Sequence, residues 1–149
     1  MQKLIQAKWA NFIKGQLMSF EGAQPLQMQH SDGTALPLVL DDSTPKKFGA
    51  EVVVFQADKG VGLHTHVGAH ILLVTKGEGV LIYESRHGLD GPALERHVMF
   101  PGMIYLVPSN VPHAIKATTE LVLIAIGNDH KPADSLERLE IVEKRGGKR

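Results

Sequence analysis

Apolar and polar positions change rhythm several times along this chain. From Leu36 onward, short apolar runs of four to seven residues alternate with turn-forming residues. Leu36 to Leu40, Glu51 to Gln56, Ile71 to Thr75, Val80 to Glu84, Leu94 to Phe100, Met103 to Val107, His113 to Ala117 and Leu121 to Ile126 read as strands, being rich in β-branched and aromatic residues. Pro37 places the first of these at a sheet edge or strand start. Asp41 to Pro45 is a loop, Asp58-Lys59-Gly60 and Pro101-Gly102 are turns, and Lys76-Gly77-Glu78-Gly79 is a hairpin signal. No helical period intervenes. An all-β barrel or sandwich is therefore expected.

The two ends have a different character. Leu4, Ile5, Trp9, Phe12, Ile13 and Leu17 recur at three- and four-residue steps, fitting a short amphipathic helix or an apolar arm on a partner subunit. Beyond the last strand, Asp134 stands before a Leu136, Leu139, Val142 stripe, with Glu137 three residues on. That spacing predicts a capped helix, followed by a basic tail.

At 149 residues and 43% hydrophobic, the chain is the size of one domain with a proper core. Sixteen basic residues balance sixteen acidic ones, which argues against a nucleic-acid or anionic-membrane surface. Cysteine is absent, so neither disulfides nor thiolate chemistry are available. The first residues lack the apolar core of a signal peptide and no run is long enough to span a bilayer. A cytoplasmic protein is expected.

Candidate chemistry is concentrated in His64-Thr65-His66-Val67-Gly68-Ala69-His70. On an extended strand, residues two apart point to the same side, so His64 and His66 project in parallel. His70 opens the next apolar run and His113 opens another after a Pro-rich turn. Four imidazoles without cysteine suit a borderline divalent ion such as Fe(II), Ni(II), Cu(II) or Zn(II). Buried without an ion, they would leave several ring nitrogens short of partners. His30, His87 and His97 read instead as surface or strand histidines. No nucleophile or catalytic acid–base pair declares itself, so the catalytic residues are left unassigned.

These residues resemble the cupin superfamily. Its first motif runs Gly, five residues, His-x-His, three or four residues, Glu, six residues, Gly. Here the first glycine position falls on Asp58 with Gly60 and Gly62 close by, so that turn is expected to be shifted; His64 and His66 match, His70 replaces the Glu, and Gly77 closes the motif. Its second motif runs Gly, five residues, Pro-x-Gly, two residues, His, three residues, Asn. Gly102, Pro108 and His113 match, Asn110 replaces the Gly and Ala117 the Asn. Asn is a suitable replacement because it accepts left-handed backbone angles.

The resemblance implies a double-stranded β-helix (jelly-roll) barrel over residues 36–127, with an N-terminal arm over 1–35 and a partly helical tail over 128–149. It implies a metal held by His64, His66, His70 and His113, with iron ranked first and Ni, Zn, Mn or Cu as alternatives. His70 is either a weak fourth ligand or a hydrogen-bonding neighbour of the others. It further implies a homodimer acting on a small-molecule ligand or substrate. Pocket candidates are Val52, Val54, Leu72, Val74, Tyr83, Ile104, Leu106 and Ile115, or Phe55, Phe100 and Tyr105 if their strands face the other way. A non-haem dioxygenase for a small enolisable or phenolic substrate ranks first. A ligand-binding or sensing barrel is the main alternative. An isomerase or lyase comes third, with Tyr83, Tyr105 or Glu78 as nominal acid–base groups.

Overall fold

The computed structural model describes residues 25–41, 48–85, 93–128, 131 and 135–142. They form β1 (Leu26–Gln27), β2 (Thr34–Asp41), β3 (Phe48–Phe55), β4 (Gly60–Thr65), β5 (His70–Lys76), β6 (Gly79–Ser85), β7 (Ala93–Met99), β8 (Ile104–Val107), β9 (His113–Ala117), β10 (Leu121–Gly127) and β11 (Glu140–Ile141). The described residues contain no helix, and none is long and apolar enough to cross a membrane. The apolar segment before residue 25 and the loop holding His87 lie outside the described residues.

Two antiparallel sheets face each other. The first has the order β1-β2-β3-β10-β5-β8 and the second β11-β4-β9-β6-β7. Sequence neighbours are therefore mostly not sheet neighbours, as in a jelly roll. Pro37 sits beside a register shift in β2, beyond the two residues that β1 covers, where a missing N–H is tolerated.

Alternation decides which residues fill the space between the sheets. Val53 and Phe55 of β3, Leu72 and Val74 of β5, Leu81 of β6, Ile115 of β9 and Leu121, Leu123 and Ala125 of β10 form the central core. Each large side chain buried there contributes about 1.5–3 kcal/mol. Leu36, Val52, Val122 and Ile124 form a second cluster on the opposite face of the first sheet, with Val54 packed against them. The expectation of Val52 and Val54 in the pocket is thereby corrected. Glu51, Val53 and Phe55 occupy the inner positions instead. Ile104 and Leu106 are 65% and 67% exposed but line an outer cleft together with Tyr105, which packs on the core, while Phe100 is exposed. These strands are apolar on both faces, so composition alone could not set their parity.

The tight turns fall where the two motifs place glycine. Asp58, Gly77, Gly102 and Asn110 have φ of 64°, 80°, 91° and 59°. Asp and Asn are the side chains best tolerated in that region. Asp58 thus performs the glycine's conformational role itself, so the turn is not shifted toward Gly60 or Gly62 as expected.

The tail departs from expectation. Residues 135–138 make a turn, Leu139 enters the core, and Glu140 and Ile141 pair with Thr65 and His64 of β4. Val142 N–H donates to the Leu63 carbonyl at 3.0 Å. Asp134, the expected cap, lies outside the described residues. A helix this short is marginal on its own, and pairing on an open sheet edge with Leu139 buried supplies what a lone turn of helix cannot.

Candidate metal centre

The second sheet brings the histidines together. His64 on β4 is directly opposite His113 on β9, so their side chains share a face. Val61 also pairs across to Ile115, although it lies three residues from His64 while Ile115 lies two from His113. The extra residue is absorbed by an irregularity at Gly62–Leu63, which lets Val61 and His64 both face inward. His66 follows just past the end of β4, and the Asn110 N–H holds its carbonyl at 2.9 Å. The ring nitrogens of His64, His66 and His113 supply one atom each within 4.8 Å of one another.

Every one of these rings is oriented by its own neighbourhood. His64 Nδ1 lies 2.8 Å from the Gly62 carbonyl, His66 Nδ1 2.7 Å from the Gly68 carbonyl, and His113 Nδ1 2.8 Å from the Val111 carbonyl. A carbonyl only accepts, so each Nδ1 carries the proton and each Nε2 presents a lone pair. His66 Nε2 and His113 Nε2 then stand 3.2 Å apart. Two lone pairs at that distance need a cation between or beside them. His113 is a poor place for a proton: burial, chiefly, pushes it down to about 3, as it pushes the neighbouring His64 down to about 4. A divalent ion with metal–nitrogen bonds near ~2.0–2.1 Å fits the same spacing. Carbonyl-anchored imidazoles are also how metal-binding histidines are commonly fixed in one tautomer. The residues present fit a metal.

His70 is adjacent but differently placed. It opens β5, lines the same cavity, and stacks on His66 with centroids 4.1 Å apart and planes 19° from parallel. It does not belong to the three-residue group whose nitrogens converge. Room for its ring comes from Gly127, where an added Cβ would stand 2.3 Å from His70 Cδ2. Among the other histidines, His30 is exposed, and His97 is exposed on β7 with Nε2 3.7 Å from Glu95.

The histidines line a cavity of about 40 Å³ together with Val61, Leu72, Ile115, Glu51 and Arg138. That volume holds an ion and about two water-sized groups. Glu51 and Arg138 were not singled out by the sequence reading. Glu51 is 2% and Arg138 8% exposed. Arg138 Nη1 donates to Glu51 Oε2 at 3.0 Å and to the Lys131 carbonyl at 2.9 Å, and Nη2 donates to Glu51 Oε1. Arg138 Nε is buried without a partner among the described residues, a cost of about 1–3 kcal/mol for such an N–H. Burial pushes the guanidinium down to about 10, which still leaves it charged at neutral pH. The one available signal was Glu51 itself, a carboxylate at an inward position of an otherwise apolar strand.

A second cleft, about 530 Å³, opens between β6 and β7 of one sheet and β8 of the other. Leu81, Tyr83, His97, Tyr105, Val107 and Pro112 help to line it. Tyr83 is directly opposite His113 and Glu95, so the inner row of the second sheet runs from the metal ligands toward this cleft.

The cupin domain profile matches residues 51–127, just over half of the chain. The chain belongs to the cupin family. This cupin is similar to solved structures at low identity, which speaks to fold. A cupin-2 domain protein from Rhodospirillum rubrum is 15% identical, with 85% of this chain and 79% of that one covered and a TM-score of 0.61. The polyketide cyclase RemF from Streptomyces resistomycificus is 15% identical over 82% of this chain and 81% of its own, with a TM-score of 0.61. A variant of the salicylate 1,2-dioxygenase from Pseudoaminobacter salicylatoxidans is 19% identical over 79% of this chain and 30% of its own, with a TM-score of 0.55. Curated proteins gave no match.

Proposed function

We propose that this cupin is a metal-dependent, dioxygenase-type oxidoreductase acting on a small enolisable or phenolic substrate. His64, His66 and His113 would hold the metal and His70 would be its weaker fourth ligand. The observation that carries the reading is the 3.2 Å approach of two Nε2 lone pairs whose Nδ1 atoms are already committed to carbonyls. When bound, a divalent ion, iron first and Ni, Zn, Mn or Cu as alternatives, supplies Lewis-acid and redox chemistry toward a chelated anion and dioxygen.

The chain's own residues set the conditions for that chemistry. Neutral imidazoles cancel none of the ion's charge, which favours binding an enolate or phenolate oxygen. The apolar lining of Val61, Leu72 and Ile115 would shield the buried His64 and His113, while His66 and His70 stay half-buried on the open side. The cleft beyond Tyr83 is within the usual size range for small-molecule sites and gives an aromatic body somewhere to lie. Tyr83 Oη donates to Glu95 and Tyr105 Oη to the Val98 carbonyl, so the nominal acid–base tyrosines are already engaged. This lowers the isomerase or lyase reading.

The same reading takes the chain as a cytoplasmic homodimer. Ile71 and Leu106 pair across β5 and β8, and both are exposed beside exposed Ile104. Such a patch suits a second copy.

The experiment is metal analysis of the purified chain, then oxygen uptake by the Fe(II)-loaded protein with diketone, flavonol and catechol compounds. Oxygen consumption that depends on both metal and substrate is expected. Full metal occupancy without uptake across the panel would sink the oxygenase reading. Stabilisation by a panel compound without turnover would favour the sensing alternative.

A further inference from the structure

The histidine cavity and the outer cleft share no lining residue. The cleft is the larger, about 530 Å³ against about 40 Å³. Its walls come from opposite sheets: Leu81 and Tyr83 of β6 on one side, Ile104, Tyr105, Leu106 and Val107 of β8 on the other. Tyr105 Oη donates to the Val98 carbonyl at 2.8 Å, which ties β8 to β7 where the two sheets end.

The polar groups around this cleft have already committed their hydrogens. Tyr83 Oη donates to Glu95 Oε2 at 2.6 Å. His97 turns Nε2 toward the same oxygen at 3.7 Å, and its ring centroid lies 5.2 Å from that of Tyr83. Hydrogen bonds from Tyr83 and then Ser85 hold the Glu95 carboxyl below its usual range, so it stays ionised at neutral pH. A phenol that donates keeps lone pairs that accept, and donation to a carboxylate makes it the stronger acceptor. Glu84 adds a second carboxylate, and no lysine or arginine is among the described residues lining the cleft. Aromatic faces, acceptors and negative charge are thus gathered without a fixed cation.

We propose that this cleft is a second binding site, for an aromatic amine: a flat apolar body between Tyr83 and Tyr105, and a protonated nitrogen donating to a phenol oxygen beside Glu95. An ammonium is drawn to aromatic faces as well as to a carboxylate. An aromatic acid would set its carboxylate against acceptors and like charge, which selects against it. The assignment stands apart from the metal reading, because the two cavities have no side chain in common.

The test is calorimetric titration of the full chain, with and without excess EDTA. The probes are phenethylamine, phenethyl alcohol and hydrocinnamate, which share a ring and differ in the head group. The amine is expected to bind at one site, at least about tenfold tighter than either analogue, whether or not EDTA is present. Glu95→Gln removes a charge that is largely solvent-exposed and should weaken the amine by up to about fivefold, with the alcohol unchanged. His97→Lys sets a cation beside Glu95 and should weaken the amine while strengthening hydrocinnamate. A cleft that merely packs would not move the two ions in opposite directions. Both positions are exposed on β7, and should either variant fail to fold, the three probes on the unaltered chain decide. Equal affinity for amine and alcohol overturns the proposal, as does amine binding that both variants leave unchanged. Amine binding lost with EDTA also overturns it, since the ligand would then sit on the metal. Amine binding by a chain that holds no metal supports the cleft site and sinks the metal reading alone.

Discussion

His66 and His113 approach each other Nε2 to Nε2 at 3.2 Å across forty-seven residues of sequence, each with Nδ1 tied to a backbone carbonyl. That relationship ranks the histidines. Replacing His64, His66 or His113 with alanine should lower metal affinity by more than the ~10–100-fold usual for losing an outer partner. His70→Ala should cost less, since its ring stacks on His66 rather than joining the converging group. Elemental analysis after dialysis against a weak chelator measures this. Equal loss at all four positions would place His70 among the ligands on equal terms.

The metal-free protein should lose stability in mild acid. Burial holds His64 at about 4 and His113 at about 3, whereas in the unfolded chain both titrate near ~6.5. Between these values the unfolded state binds protons that the native state refuses. The stability is thus fully present above pH ~6.5 and declines as pH falls toward 4, by about 1.4 kcal/mol per pH unit for each histidine. Urea melts at pH 7.5, 6 and 5 measure the slope, in a range above most carboxylate titrations. His113→Ala should flatten the curve. A wild-type curve that is already flat would mean that these rings are solvated.

Much of this site was readable because spacing encodes it. His64 and His66 two apart, His113 after its turn, and turn positions at Gly77, Gly102 and Asn110 are local constraints, and the left-handed angles at these three turns follow them. Facing was not readable, because Val52, Val53 and Val54 are chemically alike while only one of them turns inward. The tail misled for another reason. Leu136, Leu139 and Val142 carry a helical spacing, but what holds Arg138 and Leu139 is Glu51, the core and the free edge of β4. Those partners are tertiary, and no window of sequence contains them.

Gly127→Ala should disturb the site from the opposite sheet. The new Cβ would stand 2.3 Å from His70 Cδ2 and 2.6 Å from the Ala69 carbonyl oxygen. Overpacking of this kind costs about 1–3 kcal/mol, and it would push His70 against the His66 ring. A lowered melting temperature with weakened metal binding is expected. Combining it with His70→Ala removes the ring clash but not the carbonyl clash, so stability should return only in part. Additive losses in the double variant would show that the two sites do not touch.

The Glu51–Arg138 pair should behave as one unit. Both partners are almost wholly buried, so removing either leaves an unpaired charge in the barrel, at a cost of about 3–5 kcal/mol. Glu51→Leu and Arg138→Met should each be strongly destabilising in chemical denaturation. The double variant replaces two charges with apolar volume and should recover most of the loss, because the desolvation of both groups disappears together. Small effects from both single changes would mean that water reaches the pair. The double variant also separates stability from chemistry: its three converging histidines remain, so it should keep its metal.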